Sequence, residues 1–318
     1  EGSPYGALYT SLGCPFKCSF CVINAEFKAS IADNQPQEKS SFEKSDEDRL
    51  KILNEASPNM RLWSPSWALD QIGYMVGRGV KNIKFIDEMF VFNKNHVQGI
   101  AQGIIDRGYD VNIWAYARVD TVKDKALLNL MKKAGFNWLC LGIESANKNV
   151  RHGADKRFGN EDVFKNIRQV QDAGINVLGN YMVGLKDDTP ESMKETYAMA
   201  KELRTEWINV YSTMAYPGAP DYIWAKQRGI KLPGDQDVPG GWTAYSHHSW
   251  YTLPLEGEKF SAAESLRTRD DFFHSIVEDP SYIDFLRGKF GQKVADHLKA
   301  KAGQRIPRRI LGDHQPRS

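Results

Sequence analysis

Three of the chain's four cysteines lie within eight residues of one another, Cys14, Cys18 and Cys21, in the run Gly13-Cys-Pro-Phe-Lys-Cys-Ser-Phe-Cys. They follow a short apolar stretch, Ala7 to Leu12, that reads as a strand. Thiolates are soft ligands, and three of them on one short loop can hold three irons of a cubane 4Fe-4S cluster. Such a cluster ordinarily takes four cysteines, so its fourth iron is left open to a ligand from outside the protein. An open iron points to chemistry more than to storage of an electron.

Other uses of the loop fit the spacing less well. A structural zinc site takes four ligands, usually as two pairs, and the sequence offers no second Cys or Cys/His pair. The remaining cysteine, Cys140, lies in Trp138-Leu-Cys-Leu-Gly-Ile, which reads as a buried strand with the thiol as a small core hydrophobe. A disulfide framework is not expected with so few cysteines and no apolar N-terminal signal, and the expected setting is a reducing cytoplasm. The chain opens at Glu1 instead of Met, as a piece excised from something longer would.

At 318 residues, 41% hydrophobic and 26% charged, the chain can bury the core of one large domain, with or without a small appendage. No apolar run approaches the length of a membrane span, so no membrane partner is expected. Lys and Arg number 42 against 40 acids, a formal +2, which gives no global field to attract nucleic acid. The basic tail, Lys299, Lys301, Arg305, Arg308 and Arg309, reads as a solvated surface.

The elements that must position the cysteines follow from periodicity. A polar stretch at about 28–60 reads as a surface insertion. Ser64-Pro65 is an N-cap and first helical position, followed by Leu69, Ile72, Met75 and Val76 at helical spacing. Strand-like runs then recur about every 30 residues, at Asn82 to Asp87, Val111 to Ala117, Trp138 to Glu144, Ile175 to Val183 and Trp207 to Thr213. Helical patterns lie between them at His96 to Arg107, Asp124 to Ala134, Asp162 to Ala173 and Pro190 to Arg204. Alternation of this kind builds a parallel sheet or barrel. With the opening strand there are six units, too few to close an eight-unit ring. The expected fold is α/β, a partial (β/α)6 TIM-like barrel over residues 1–220, with a mostly helical extension over 221–318. Chemistry in such folds sits at the carboxyl ends of the strands. Polar residues do cluster there: the cysteine loop, Asp87-Glu88, Arg118 and Asp120, Glu144-Ser145, Asn180 and Gly184, and Tyr216-Pro-Gly.

A Cys-x3-Cys-x2-Cys loop after the first of six strand-helix units, with the aromatic Phe20 just before the last cysteine, resembles the radical SAM superfamily over about Tyr5 to Pro220. The resemblance implies a 4Fe-4S cluster on Cys14, Cys18 and Cys21, with S-adenosylmethionine chelating the open iron. It also implies reductive cleavage to a 5′-deoxyadenosyl radical, which abstracts hydrogen from a substrate the sequence does not name. A reductant such as flavodoxin or ferredoxin is implied as partner. By the same resemblance Phe20 packs by the adenine, and Asp87 or Glu88 takes the ammonium where the family carries a Gly-Gly-Glu-like segment that lacks its glycines here. Glu144 or Ser145 bonds ribose hydroxyls or the methionyl end, and Arg118, Lys156 or Arg157 pairs with the carboxylate. Gly184 and Tyr216 flank adenine. Lys81-Asn-Ile-Lys-Phe-Ile-Asp-Glu, Ala117-Arg-Val-Asp-Thr-Val and Leu141-Gly-Ile-Glu-Ser are similar to the branch often linked to an upstream cobalamin-binding domain, which implies cobalamin-linked methyl transfer or a related rearrangement if such a domain precedes Glu1, and a cobalamin-independent reaction if the chain is complete.

Three readings compete with this one: an iron-sulfur electron carrier, a structural zinc protein, and a barrel that binds substrate without activity. Each residue also has a plainer use. Asp87 and Glu88 suit a helix N-terminus, and Arg118 suits a structural ion pair. Glu144, closing an apolar strand, needs a partner of some kind. The stretch 233–251 is rich in Gly, Pro and aromatics and reads as an irregular loop. Its Trp242, Tyr245, His247, His248, Trp250 and Tyr251 either line a substrate pocket or pack the loop on the barrel. Ser261-Ala-Ala-Glu reads as a capping box opening a helix to Val277, and a further helical stretch runs from Tyr282 to Leu298.

Overall fold

The structure, a computed structural model, describes residues 4–23, 25 and 60–314. The polar stretch at about 28–60 therefore lies, but for its last residue, outside the described residues.

Six strands form one parallel sheet: β1 (Tyr5–Leu8), β4 (Asn82–Phe85), β5 (Asn112–Arg118), β6 (Phe136–Glu144), β7 (Asn176–Val183) and β8 (Trp207–Ser212). They neighbour one another in that order, so each helical crossover delivers the chain to the next position. The crossovers are α1 (Pro65–Val76), α2 (Lys94–Asp106), α3 (Lys125–Lys133), the pair α4 (Lys148–Gly153) and α5 (Asn160–Asp172), and α6 (Pro190–Leu203). This is the six-unit topology of a partial TIM-like barrel. After β8 come α7 (Pro220–Gln227), a 3-10 turn at Gly241–Tyr245, α8 (Ala262–Val277), α9 (Pro280–Phe290) and α10 (Gln292–Ala302).

Alternation along the strands explains which face each residue takes. Ile83, Phe85, Ile113, Ala115, Leu139, Leu141 and Ile143 are buried, and Phe85, Phe90 and Phe136 pack edge-on or stacked at 4.9–5.4 Å. The opposite face carries Lys84, whose Nζ lies 4.2 Å from the Trp114 ring centroid, with Tyr116 beside it. Helix starts follow the expected chemistry. Ser64, Asn93, Asp124 and Asn147 each accept a backbone N–H of the first turn. Thr189 with Ser192 and Ser261 with Glu264 form reciprocal capping boxes.

The chain packs as two compact units. The first is Glu1–Lys17, Ile23–Ile143 and Phe158–Gly179, and the second is Cys18–Val22, Glu144–Arg157 and Asn180–Ser318. In the second, α8 packs on β8 and α6, and α9 on α10. Arg308 ties its C-terminal end down: Nε and Nη2 reach Asp270, and Nη1 reaches the His247 and Ser249 carbonyls and the Thr252 hydroxyl.

Two elements depart from the sequence reading. The first strand does not run from Ala7 to Leu12. β1 ends at Leu8, and β2 (Ser11–Leu12) leaves the sheet to pair antiparallel with β3 (Arg61–Leu62), because Asp87 at the exit of β4 draws Thr10 and Ser11 to itself. The stretch Tyr282 to Leu298 is two helices, broken at Gly291, whose φ of 86° a helix cannot contain.

Gly135, between α3 and β6, has φ 94°, and a Cβ there would lie 2.1 Å from the Val111 carbonyl oxygen. Gly135→Ala is expected to cost on the order of 2–4 kcal/mol, read as a lowered denaturant midpoint; an unchanged midpoint would contradict this packing.

Candidate cofactor site at the strand exits

In the first unit, two consecutive acids at the exit of β4 fix the approach to Cys14. Asp87 is fully buried. It accepts the Thr10 amide on both oxygens at 3.1 Å, the Thr10 hydroxyl at 2.8 Å and the Ser11 hydroxyl at 2.5 Å. Glu88 Oε2 accepts the Gly13 amide at 3.0 Å. Thr10 Oγ1 also meets His96 Nε2 at 3.0 Å. Since the hydroxyl proton goes to Asp87, the imidazole donates here, and its burial holds its pKa below the usual histidine value against the opposing field of Asp87. The sequence offered Asp87 or Glu88 to an ammonium. In the structure both acids hold the chain's own residues 10–13.

Arg118, at the exit of β5, is buried beneath the same loop. Its guanidinium carbon lies 3.7 Å from the centroid of Phe16, between Cys14 and Cys18 in sequence. Its fork closes on Asp120 at 2.9 and 3.0 Å. Arg118 thus makes the structural ion pair weighed above and a stacking contact to the loop.

The second unit holds Cys18 to Val22. Cys21 N donates to Cys18 O at 3.1 Å, so the two thiols flank one tight turn. Phe20 packs with Met182 on Val150, Ala154 and Leu185, and the Lys156 ammonium lies 5.9 Å from the Phe20 ring centroid. Lys156 is ion-paired with Glu144, and both side chains are under one-tenth exposed. Glu144 sits at φ 67°, a left-handed conformation uncommon for a residue with a side chain and often met at functional sites. Beside it Ser145 meets the Thr196 hydroxyl at 3.3 Å and receives the Asn147 amide, while its carbonyl takes the buried Arg151 at 2.5 Å. Gly184 has φ 74°, and a Cβ there would lie 2.2 Å from Ser265 Oγ. Tyr216 stacks on Tyr245 at 5.3 Å. Phe20, Glu144 and Lys156 are thus brought together. Arg157 is not with them: its side chain is 79% exposed and, among the described residues, reaches Asp155 at 3.8 Å.

Sequence reasoning missed Asp221. Its backbone N–H donates to Ser19 O at 3.0 Å, and its Oδ2 accepts the Ser19 hydroxyl at 3.2 Å, which pins the turn between Cys18 and Cys21 to the start of α7. Oδ1 is buried with no hydrogen-bond partner among the described residues. Burial lifts the carboxyl to about 6, against the opposing pull of Lys186 and the Ser19 bond. In the sequence this residue reads only as an acid in a helix's first turn, and its partner is 202 positions away.

Three thiols within one loop are a donor set that suits iron-sulfur ligation. Cys14 is half-buried in the first unit, and in the second Cys18 is buried and Cys21 half-buried. Among the described residues no three His, Cys, Asp or Glu side chains are grouped so as to hold a metal ion.

Residues 10–13, held at the exit of the second strand of a six-stranded partial barrel, lead into the three-cysteine loop. Residues 8–200, more than half of the chain, match the Radical SAM superfamily, and the chain belongs to it. The family uses a 4Fe-4S cluster and S-adenosylmethionine, and its enzymes need a reductant and a substrate. An uncharacterized methyltransferase of Pyrococcus horikoshii is 27% identical over 232 residues, 73% of this chain and 44% of that protein. Among solved structures, the radical S-adenosylmethionine methyltransferase TsrM from Kitasatospora setae, with cobalamin and a 4Fe-4S cluster bound, has a TM-score of 0.56 at 17% identity, covering 84% of this chain and 44% of that one. The cobalamin-dependent S-adenosylmethionine radical enzyme OxsB, with aqua-cobalamin and S-adenosylmethionine bound, has 0.58 at 13% identity, covering 93% and 46%. These last two likenesses are of fold. The chain spans less than half the length of each of the three. No helix among the described residues is long and apolar enough to cross a membrane.

Asp221→Asn keeps the shape and the Ser19 acceptor while removing a carboxylate that the fold prefers neutral. A folded-state pKa raised from 3.8 to about 6 means that ionisation weakens the fold as pH rises through that window. In cluster-free protein the substitution is expected to raise stability by roughly 1–3 kcal/mol at pH 7, with the gain gone below pH 4. Chemical denaturation at the two pH values checks this, and a pH-independent effect would contradict it.

Proposed function

We propose that the chain is the core of an enzyme that reductively cleaves S-adenosylmethionine, with Cys14, Cys18 and Cys21 as the three protein ligands of a 4Fe-4S cluster. The observation that carries the reading is the cysteine loop itself, fixed at its start by Asp87 and Glu88 within the strand-helix series of this family. When bound, the cluster would supply the electron that breaks the sulfonium bond and so starts radical chemistry.

The chain's own residues would bind and orient the cofactor. Phe20 offers an apolar face beside the Lys156–Glu144 pair. Glu144 Oε1 takes Lys156, which leaves Oε2 as the acceptor we assign to the ribose hydroxyls. Ser145 and the glycine backbone at Gly184 would border the same ligand, with Tyr216 on the adenine side.

We further infer cobalamin-linked methyl transfer as the reaction of the whole protein. A relative named a methyltransferase and a fold shared with TsrM and OxsB support this, as do the lengths of those proteins beyond the matched region. The setting we infer is a reducing cytoplasm, with flavodoxin or ferredoxin as the donor class.

After anaerobic reconstitution, addition of S-adenosylmethionine and a strong reductant is expected to release 5′-deoxyadenosine. Cys18→Ala should bring that release to background and prevent assembly of a stable cluster, read by iron content and electron paramagnetic resonance. An electron carrier or a zinc site would release none in the parent protein, and full turnover by the variant would remove Cys18 from the ligand set.

A further inference from the structure

The second unit contains a cavity of ≈ 500 Å³ between β8, α8 and the aromatic loop that follows α7, a volume suited to a small organic ligand. Tyr211, Tyr216 and Tyr245 supply flat walls, and His247, Arg269 and Asp270 supply the polar end.

The polar end is out of electrostatic balance. Asp270 is the one carboxylate shared by two guanidinium groups: Arg269 Nη1 reaches Oδ1 at 2.7 Å, and Arg308 reaches Oδ2 and Oδ1 at 3.1 and 3.2 Å. The Arg308 side chain is 1% exposed, Arg269 13% and Asp270 18%, so water screens this cluster weakly. Asp313 accepts the Arg308 amide from the solvent-exposed side, and Glu278 is taken by Arg305. A positive charge held away from water without an equal negative one is costly, and an anionic ligand relieves it.

Its neighbours also favour an acceptor-bearing guest. Burial, with Arg269, His248 and Arg308 adding to it, pushes His247 down to about 4 and leaves it neutral at physiological pH. His247 Nδ1 is buried and has no hydrogen-bond partner among the described residues, so no protein contact there fixes the ring tautomer. Burial raises the pKa of Tyr216 and of Tyr245, so both phenols keep their protons, and Tyr245 donates its own to Ala215 O at 3.1 Å. The cavity thus combines aromatic faces and one excess guanidinium, while its one carboxylate is already engaged twice.

We propose that this cavity is a binding site for a flat aromatic carboxylate, with the acid group at Arg269 and His247 and the ring against the tyrosines. A monoanion matches the single excess charge; Arg269 Nε is held by the Val210 carbonyl at 2.8 Å and Nη1 by Asp270, so its Nη2 is the donor we assign to one carboxylate oxygen. The inference concerns binding only, and because Tyr216 is also the residue assigned above to the adenine side, the titrations are run without S-adenosylmethionine, so that failure of this inference and failure of the cofactor reading are distinguishable.

Indole-3-carboxylate, its carboxamide and tryptamine are titrated into the full chain at neutral pH by calorimetry. The acid is expected to bind at least about tenfold more tightly than the amide, with no saturable binding of the amine. Arg269→Gln should abolish the preference. His247→Phe, which keeps a ring of similar size without its nitrogens, should weaken the acid several-fold and serves if the Arg269 variant fails to fold by circular dichroism. Equal affinity for acid and amide overturns the proposal, as does a preference that survives both substitutions or absence of saturable acid binding at millimolar concentration.

Discussion

One buried carboxylate sets the course of the chain into the cysteine loop. Asp87 has no exposed surface, and a charge so placed must be surrounded by donors. Thr10 and Ser11 supply them through one amide and two hydroxyls. Satisfying Asp87 forces the chain out of the sheet after β1, which is why the expected six-residue strand is cut short and β2 turns aside. Glu88 extends the restraint to Gly13, one residue before the first thiol.

Restraints of the same kind hold the rest of the loop in each unit. Arg118, fixed by Asp120, lies under Phe16. Asp221 grips Ser19 by backbone and side chain together. The loop residues between the cysteines therefore act as attachment points. Fixing them lowers the conformational freedom of the loop next to each cysteine.

Local patterns made much of this legible. Period-two burial in β4 and β5, the apolar run of β6, the caps at Ser64, Thr189 and Ser261, and the cysteine spacing are each contained within a few residues, so a sequence displays them directly. Long-range pairing was not legible. Asp87 and Thr10 are 77 positions apart and Arg308 and Asp270 are 38, and nothing at either end of such a pair marks the other. Arg157 shows the converse: next to Lys156 in sequence it looked equally suited to a buried anion, yet only Lys156 turns inward. The break at Gly291 was visible as a glycine within a helical pattern, but apolar periodicity on both sides masked it.

Residues 10–13 depend most on Asp87, and amide hydrogen exchange on Asp87→Ala tests this most directly. Oδ1 alone accepts the Thr10 amide and the Thr10 and Ser11 hydroxyls, so an asparagine could keep them all, whereas alanine removes every acceptor. Exchange at Thr10 to Gly13 is expected to accelerate by about tenfold or more, with the β5 and β6 amides unchanged. Parent-like protection at Thr10 to Gly13 in a folded Asp87→Ala protein would show that the loop is held by something else and would contradict the role given to Asp87.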